Sequence, residues 1–74
     1  MQKLEFELNE DFIELHKLLK VVGASDSGGA AKALVAGGEI KVDGAVELRK
    51  ACKIRIGQVV EAEGFQITVR RPVV

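Results

Sequence analysis

The sequence predicts an α+β fold in which a two-helix unit lies on a small, mostly antiparallel β-sheet. Three observations predict it. Apolar residues recur at helical spacing in the first half of the chain, the period changes to that of short strands after residue 38, and Gly-containing pairs punctuate the second half closely enough to leave only short elements between them. Seventy-four residues, 47% hydrophobic and 30% charged, leave room for one core, so residues 1–74 are expected to form one domain. Such a domain buries only roughly 60–65% of the surface its unfolded chain exposes, which places function on the outside rather than in an enclosed cavity.

In Lys3-Leu4-Glu5-Phe6-Glu7-Leu8 apolar residues alternate with charged ones, the pattern of a half-buried strand. Asn9 then suits a helix cap, with Glu10, Asp11 and Glu14 at the positive end of the helix dipole and Phe12, Leu15, Leu19 and Val22 three or four apart. The first helix is therefore expected over about residues 10–22. Gly23 suits the left-handed position that closes a helix, and Ser25 or Ser27 can cap a second helix over about 28–36. That helix, rich in Gly and Ala, can pack closely until Gly37-Gly38 stops it. Beyond it come Ile40-Lys41-Val42, an Asp43-Gly44 hairpin turn and Ala45-Val46. Ile54-Arg55-Ile56, Val59–Ala62 and Phe65–Val69 follow as strands separated by Gly57-Gln58 and Glu63-Gly64, and Pro72 ends regular pairing.

Eleven Lys and Arg balance eleven Asp and Glu, but not evenly. Residues 1–40 carry a net −3 and residues 41–74 a net +3, with Arg49, Lys50, Lys53 and Arg55 close together. A chain split this way can present one basic face, or only a solvated strand edge that discourages aggregation. Arg70 and Arg71 lie past the last expected strand, as a frayed tail. The single cysteine precludes an internal disulfide and fits a reducing cytosol. Acidic residues interrupt the N-terminal apolar pattern, so neither a signal peptide nor a membrane span is expected and the chain reads as cytoplasmic. His16 and Cys52, alone of their kinds, compose neither a catalytic constellation nor a metal site, so no enzyme activity, cofactor or metal is expected. His16 reads as a helix-surface or boundary residue and Cys52 as a buried, inert thiol.

The run from Ala31 to Gly44, Ala-x-x-Leu-Val-x-x-Gly-x-Ile-x-Val-Asp-Gly, together with Ile56-Gly57-Gln58-Val59-Val60, resembles the S-four-type RNA-binding domain (αL motif), named after the fourth protein of the small ribosomal subunit. The likeness covers about residues 11–69. Ser27-Gly28-Gly29-Ala30-Ala31-Lys32 and Arg49-Lys50-Ala51-Cys52-Lys53 are most similar to its stand-alone bacterial YbcJ-like branch. Where the family commonly has Arg-Leu-Asp and Ser-Arg at its two helix starts, this chain has Glu14-Leu15-His16 and Ser27-Gly28, without those basic residues.

The resemblance implies a small non-catalytic monomer that recognises structured RNA, ribosomal or transfer RNA or a precursor, with the ribosome or a ribosomal precursor as a candidate partner. Phosphate contact requires cations spaced along a strand, and Arg49, Lys50, Lys53 and Arg55 meet that need. The family places helix 2 and the following hairpin on one side of the binding surface, which would bring Lys32 and Lys41 toward the cluster; either lysine also reads as plain solvated surface. Ser27, Gly28 and Gly29 could offer bare helix-start amides to a phosphate, or the glycines could serve helix packing. Phe6, Phe12 and Phe65 all fall in apolar patterns and are expected in the core. With no Trp or Tyr, contact through phosphates and shape is expected rather than the reading of unpaired bases. The alternative is a protein-interaction adaptor that uses an RNA-binding fold, since fold alone does not fix function.

Overall fold

The structure, a computed structural model, describes residues 1–73. In chain order these form β1 (Gln2–Glu7), β2 (Ile13–Glu14), α1 (Leu15–Val21), α2 (Gly28–Ala36), β3 (Lys41–Val42), β4 (Ala45–Val46), β5 (Lys53–Ile54), β6 (Val59–Ala62) and β7 (Phe65–Arg70). Five strands make one sheet in the order β1-β7-β6-β3-β4, and β2 pairs with β5 in a separate two-stranded sheet. All pairings are antiparallel except β1 with β7, which run parallel from Gln2 opposite Phe65 to Glu7 opposite Arg70.

Alternation explains which faces are buried. Leu4 and Phe6 stand opposite Ile67 and Val69, and join a core whose fully enclosed side chains include Leu15, Leu18, Leu19, Val35, Ile40, Ile54, Val60 and Ile67. The helix unit contributes Leu15, Leu18 and Leu19 from α1 and Ala31 and Val35 from α2. Removing one such leucine costs about 2–5 kcal/mol, a large share of the total stability of roughly 4–11 kcal/mol that a chain of this length carries at about 0.05–0.15 kcal/mol per residue.

Several expectations hold at residue level. Ser27 caps α2, its Oγ accepting from the Ala30 N–H at 3.1 Å, and Gly23 closes α1 at φ +82°. Asp43 and Gly44 both take positive φ, +52° and +86°, which suits a hairpin turn that follows the twist of β3 and β4. The Asp43 carboxylate also accepts from the Val59 N–H at 3.0 Å and from Gln58 Nε2 at 3.1 Å, so the turn is fastened to the start of β6.

The first helix is shorter than its sequence pattern. Asn9 caps nothing; α1 starts at Leu15 after Glu14, which is extended (φ −68°, ψ 141°) and makes no side-chain cap. Residues 13 and 14 pair instead with Ile54 and Lys53, because Ile13 packs against the core beside buried Ile54 only in an extended chain. Glu10 and Asp11 accordingly lie outside the first turn. Past Ile54 the expected strand breaks off as the Arg55 N–H turns to Gln58 Oε1 at 2.8 Å. Arg70 is not a frayed tail either: it ends β7 and pairs with Glu5 at 3.0 Å.

Candidate functional site

The basic segment is anchored by helix physics. A helix leaves its first N–H groups without internal partners, and in α1 two of these are taken by the loop between β4 and β5: Leu15 N–H donates to the Cys52 carbonyl at 2.9 Å and His16 N–H to the Lys50 carbonyl at 3.0 Å. The His16 ring adds a third bond, Nδ1–H donating to the same Lys50 carbonyl at 2.8 Å. A Cys52 N–H bond to the Arg49 carbonyl at 3.1 Å tightens residues 49–52 into a turn. The backbone of the cationic loop is thereby held across the N-terminal end of α1 and its side chains face outward.

Arg49 enters a fork with Glu47. Nε meets Oε2 and Nη2 meets Oε1, each at 3.0 Å, and the Arg49 N–H donates to Oε2 at 2.9 Å. The guanidinium fork and this backbone bond hold the Glu47 carboxyl down at about 2, against an ordinary 4.5. The Arg49 charge is thus locally offset, while its side chain stays 78% exposed and keeps N–H donors to spare. Cys52 is half-buried, with its Sγ 3.8 Å from Arg49 Nη2. Burial, and then its hydrogen bond to Glu47, push the thiol up rather than down, away from the thiolate a nucleophile needs.

Lys50, Lys53 and Arg55 are exposed and have no carboxylate partner among the described residues. Lys53 and Arg55 instead flank Phe12, with Nζ 4.8 Å and Cζ 5.8 Å from the ring centroid. The expectation that all three phenylalanines are core therefore fails for Phe12. The extended start of β2 turns Ile13 inward and Phe12 outward, while Phe6 and Phe65 do pack on the core. Beside them Lys17 pairs with Glu14 at 3.0 Å. Glu14 is held below the ordinary carboxylate range chiefly by that hydrogen bond, with smaller help from the Lys17 charge; Lys32 is exposed on α2 and makes no hydrogen bond or ion pair with the loop among the described residues.

Lys41 does not join them. It faces Glu61 across β3 and β6 and lines a shallow pocket with Glu39, Glu61 and Glu63, because the strand alternation that buries Ile40 turns Lys41 onto this acidic stretch. Ser27, Gly28 and Gly29 start α2 with no hydrogen bond to the basic loop among the described residues. A methyl group built at Gly28 meets nothing within 4 Å, and one at Gly29 only Ser27 Oγ at 3.9 Å; neither glycine has positive φ. Helix packing thus gives no reason for either glycine. Phe12 and Lys17 are the members of this surface that sequence patterning missed, Phe12 because its spacing fits a longer helix and Lys17 because it lies far in sequence from the residue 49–55 cluster.

Two helices packed on a mostly antiparallel mixed sheet form the αL fold. The chain belongs to the S4 domain family, whose sequence model matches residues 6–70. It is 53% identical over 57 residues to YbcJ of Escherichia coli K12, and equally to YbcJ of Shigella flexneri, an alignment covering 77% of this chain and 81% of each relative. The solution structure of E. coli YbcJ, described as revealing an αL motif involved in RNA-binding, superimposes with a TM-score of 0.65 at 44% identity, over 95% of this chain and 87% of that one.

Proposed function

We propose that this chain is a small non-catalytic RNA-binding protein that grips structured RNA, ribosomal or transfer RNA or a precursor, through its basic loop, acting in the cytoplasm as a monomer. The observation that carries this is the fastening of the Lys50 and Cys52 carbonyls to the first N–H groups of α1, which presents cations without the entropy cost of ordering a loop on binding. Lys50, Lys53 and Arg55 meet successive phosphates, Arg49 adds its remaining donors, and Lys32 extends the surface onto α2. The open amides of Gly28 and Gly29 beside Ser27 give a further phosphate contact. Lys41, among glutamates, stands outside. Membership of the S4 domain family and the RNA-binding motif described for E. coli YbcJ support the ligand class.

Titration of the purified protein against ribosomal RNA, transfer RNA and duplex DNA at several salt concentrations tests it. Three phosphates neutralised by Lys50, Lys53 and Arg55 give an expected slope of roughly −2 to −3 in log affinity against log salt, at about 0.7–0.9 per phosphate. Lys50→Glu with Lys53→Glu should abolish most binding while the protein stays folded. Retention of an acidic protein from lysate, with no RNA bound even at low salt, would replace this proposal with the adaptor function.

A further inference from the structure

The outward face of the β2–β5 sheet has a composition that phosphate binding alone does not explain. Its register sets Glu14 opposite Lys53, and Phe12, one residue before β2, lies beneath Lys53 and Arg55. Next to this stack a groove of about 400 Å³ is lined by Glu10, Phe12, Ile13, Glu14, Lys17 and Lys53, within the range of small-ligand sites. Its cations suit phosphate, but an aromatic wall does not, and two carboxylates repel it. Glu14 gives one oxygen to Lys17 and, among the described residues, makes no ion pair with Lys53 across the strand pair, because Lys53 is turned over the ring. The ligand that satisfies every wall combines a flat π-face, an edge of N–H donors and flanking negative charge.

Resting on the RNA-binding function above, we propose that this groove takes one unpaired guanine of the bound RNA. Its ring stacks on Phe12, its N1–H and N2–H groups donate to the Glu14 carboxylate with Glu10 alongside, and Lys17, Lys53 and Arg55 meet the adjoining phosphates. A carboxylate only accepts hydrogen bonds, and guanine alone of the four bases offers two adjacent N–H donors on its Watson–Crick edge. Adenine and cytosine set a ring-nitrogen acceptor beside one amino group, and uracil flanks its single N–H with carbonyls, so each brings an acceptor against Glu14. Base stacking on an aromatic ring outweighs a surface cation–π contact, so the ring gains by exchanging Lys53 for a base, and Lys53 is released toward a phosphate.

Hairpin RNAs that differ only in a single bulged nucleotide (G, A, C, U or abasic) test the proposal in binding titrations. The G bulge is expected to bind about tenfold tighter than the abasic one, an effect of the size seen for one stacked base. Phe12→Leu should erase that difference and Phe12→Tyr preserve it. Glu14→Gln should reduce the affinity ratio of the G bulge over the A and C bulges, while the abasic hairpin binds no more weakly than before, because a carboxylate that repels phosphate has been removed. Equal affinity of the wild-type protein for the G-bulged and abasic hairpins overturns the base site yet leaves phosphate-based RNA binding standing. No binding to any hairpin at low salt overturns both. Because the wild-type comparison needs no variant, a folding defect in Phe12→Leu cannot mask the outcome.

Discussion

Gly28 and Gly29 occupy the first two positions of α2 with ordinary negative φ and open space where a side chain would go. A glycine within a helix costs about 0.5–1 kcal/mol relative to alanine, and the first turn sits at the lower end of that range. The double variant Gly28→Ala, Gly29→Ala should therefore be more stable than the parent by about 1 kcal/mol, since alanine restricts the unfolded chain and clashes with nothing in the folded one. For a domain of this size that raises Tm by about 4–8 °C. If the bare amides are there for close approach of a phosphate, the same variant should lose the equivalent of one charge-assisted hydrogen bond, roughly 1.5 kcal/mol or about tenfold in affinity. Thermal and urea denaturation, paired with a transfer RNA titration at fixed salt, measure both effects on one sample. A variant that is no more stable refutes the claim that nothing in the fold requires these glycines. One that is stabilised but binds RNA as before refutes their role in the ligand surface.

Arg49→Ala removes the fork that depresses Glu47, so its carboxyl midpoint, followed by NMR titration, should climb from about 2 toward the ordinary 4.5. Because the folded value is the lower one, the Glu47 contribution to stability is fully present above about pH 4.5 and is lost as pH falls toward 2; acid unfolding of Arg49→Ala should lack the guanidinium's share of that component and keep the share of the residue-49 N–H. Charge reversal at Lys50 should weaken RNA binding and flatten its salt dependence by about one log unit per log unit of salt, whereas Lys41→Glu, in its acidic surroundings, should leave both within twofold in the same titration. Ile54→Ala empties a fully buried site between Lys53 and Arg55 and should cost about 2–4 kcal/mol in urea denaturation. A loss below 1 kcal/mol would mean that the β2–β5 sheet is not held by its apolar face.

Helix α2 and the β3–β4 hairpin were legible because their signals are local: a serine cap three residues before the N–H it receives, a glycine pair at the end and an Asp-Gly turn. The start of α1 was not. Its cap consists of carbonyls from Lys50 and Cys52, more than thirty residues away, and the Glu-rich stretch before it imitates the acidic first turn of a helix. Phe12 was misplaced for the same reason, since its spacing to Leu15 and Leu19 fits a helical stripe but its backbone is extended toward β5. Alternation in β1 identified a strand without naming its neighbour, and the parallel pairing with β7 that also secures Arg70 through Glu5 is a long-range choice. At the site, clustering in sequence found Arg49 to Arg55, but the Glu47 fork and the acidic company of Lys41 depend on contacts that periodicity does not encode.

The parallel pairing of β1 with β7 also sets when the protein can fold. Gln2 meets its partner only when Phe65 is available, and β7, lying between β1 and β6, brings Ile67 and Val69 to the core. Contacts that span nearly the whole chain delay their reward until the loop between them has closed. During synthesis the helices and the hairpin can form transiently, but the sheet has a gap at its second position until β7 has left the ribosome. A nascent chain halted before residue 65 should therefore remain sensitive to protease along its length, and the basic surface should become stable only with β7.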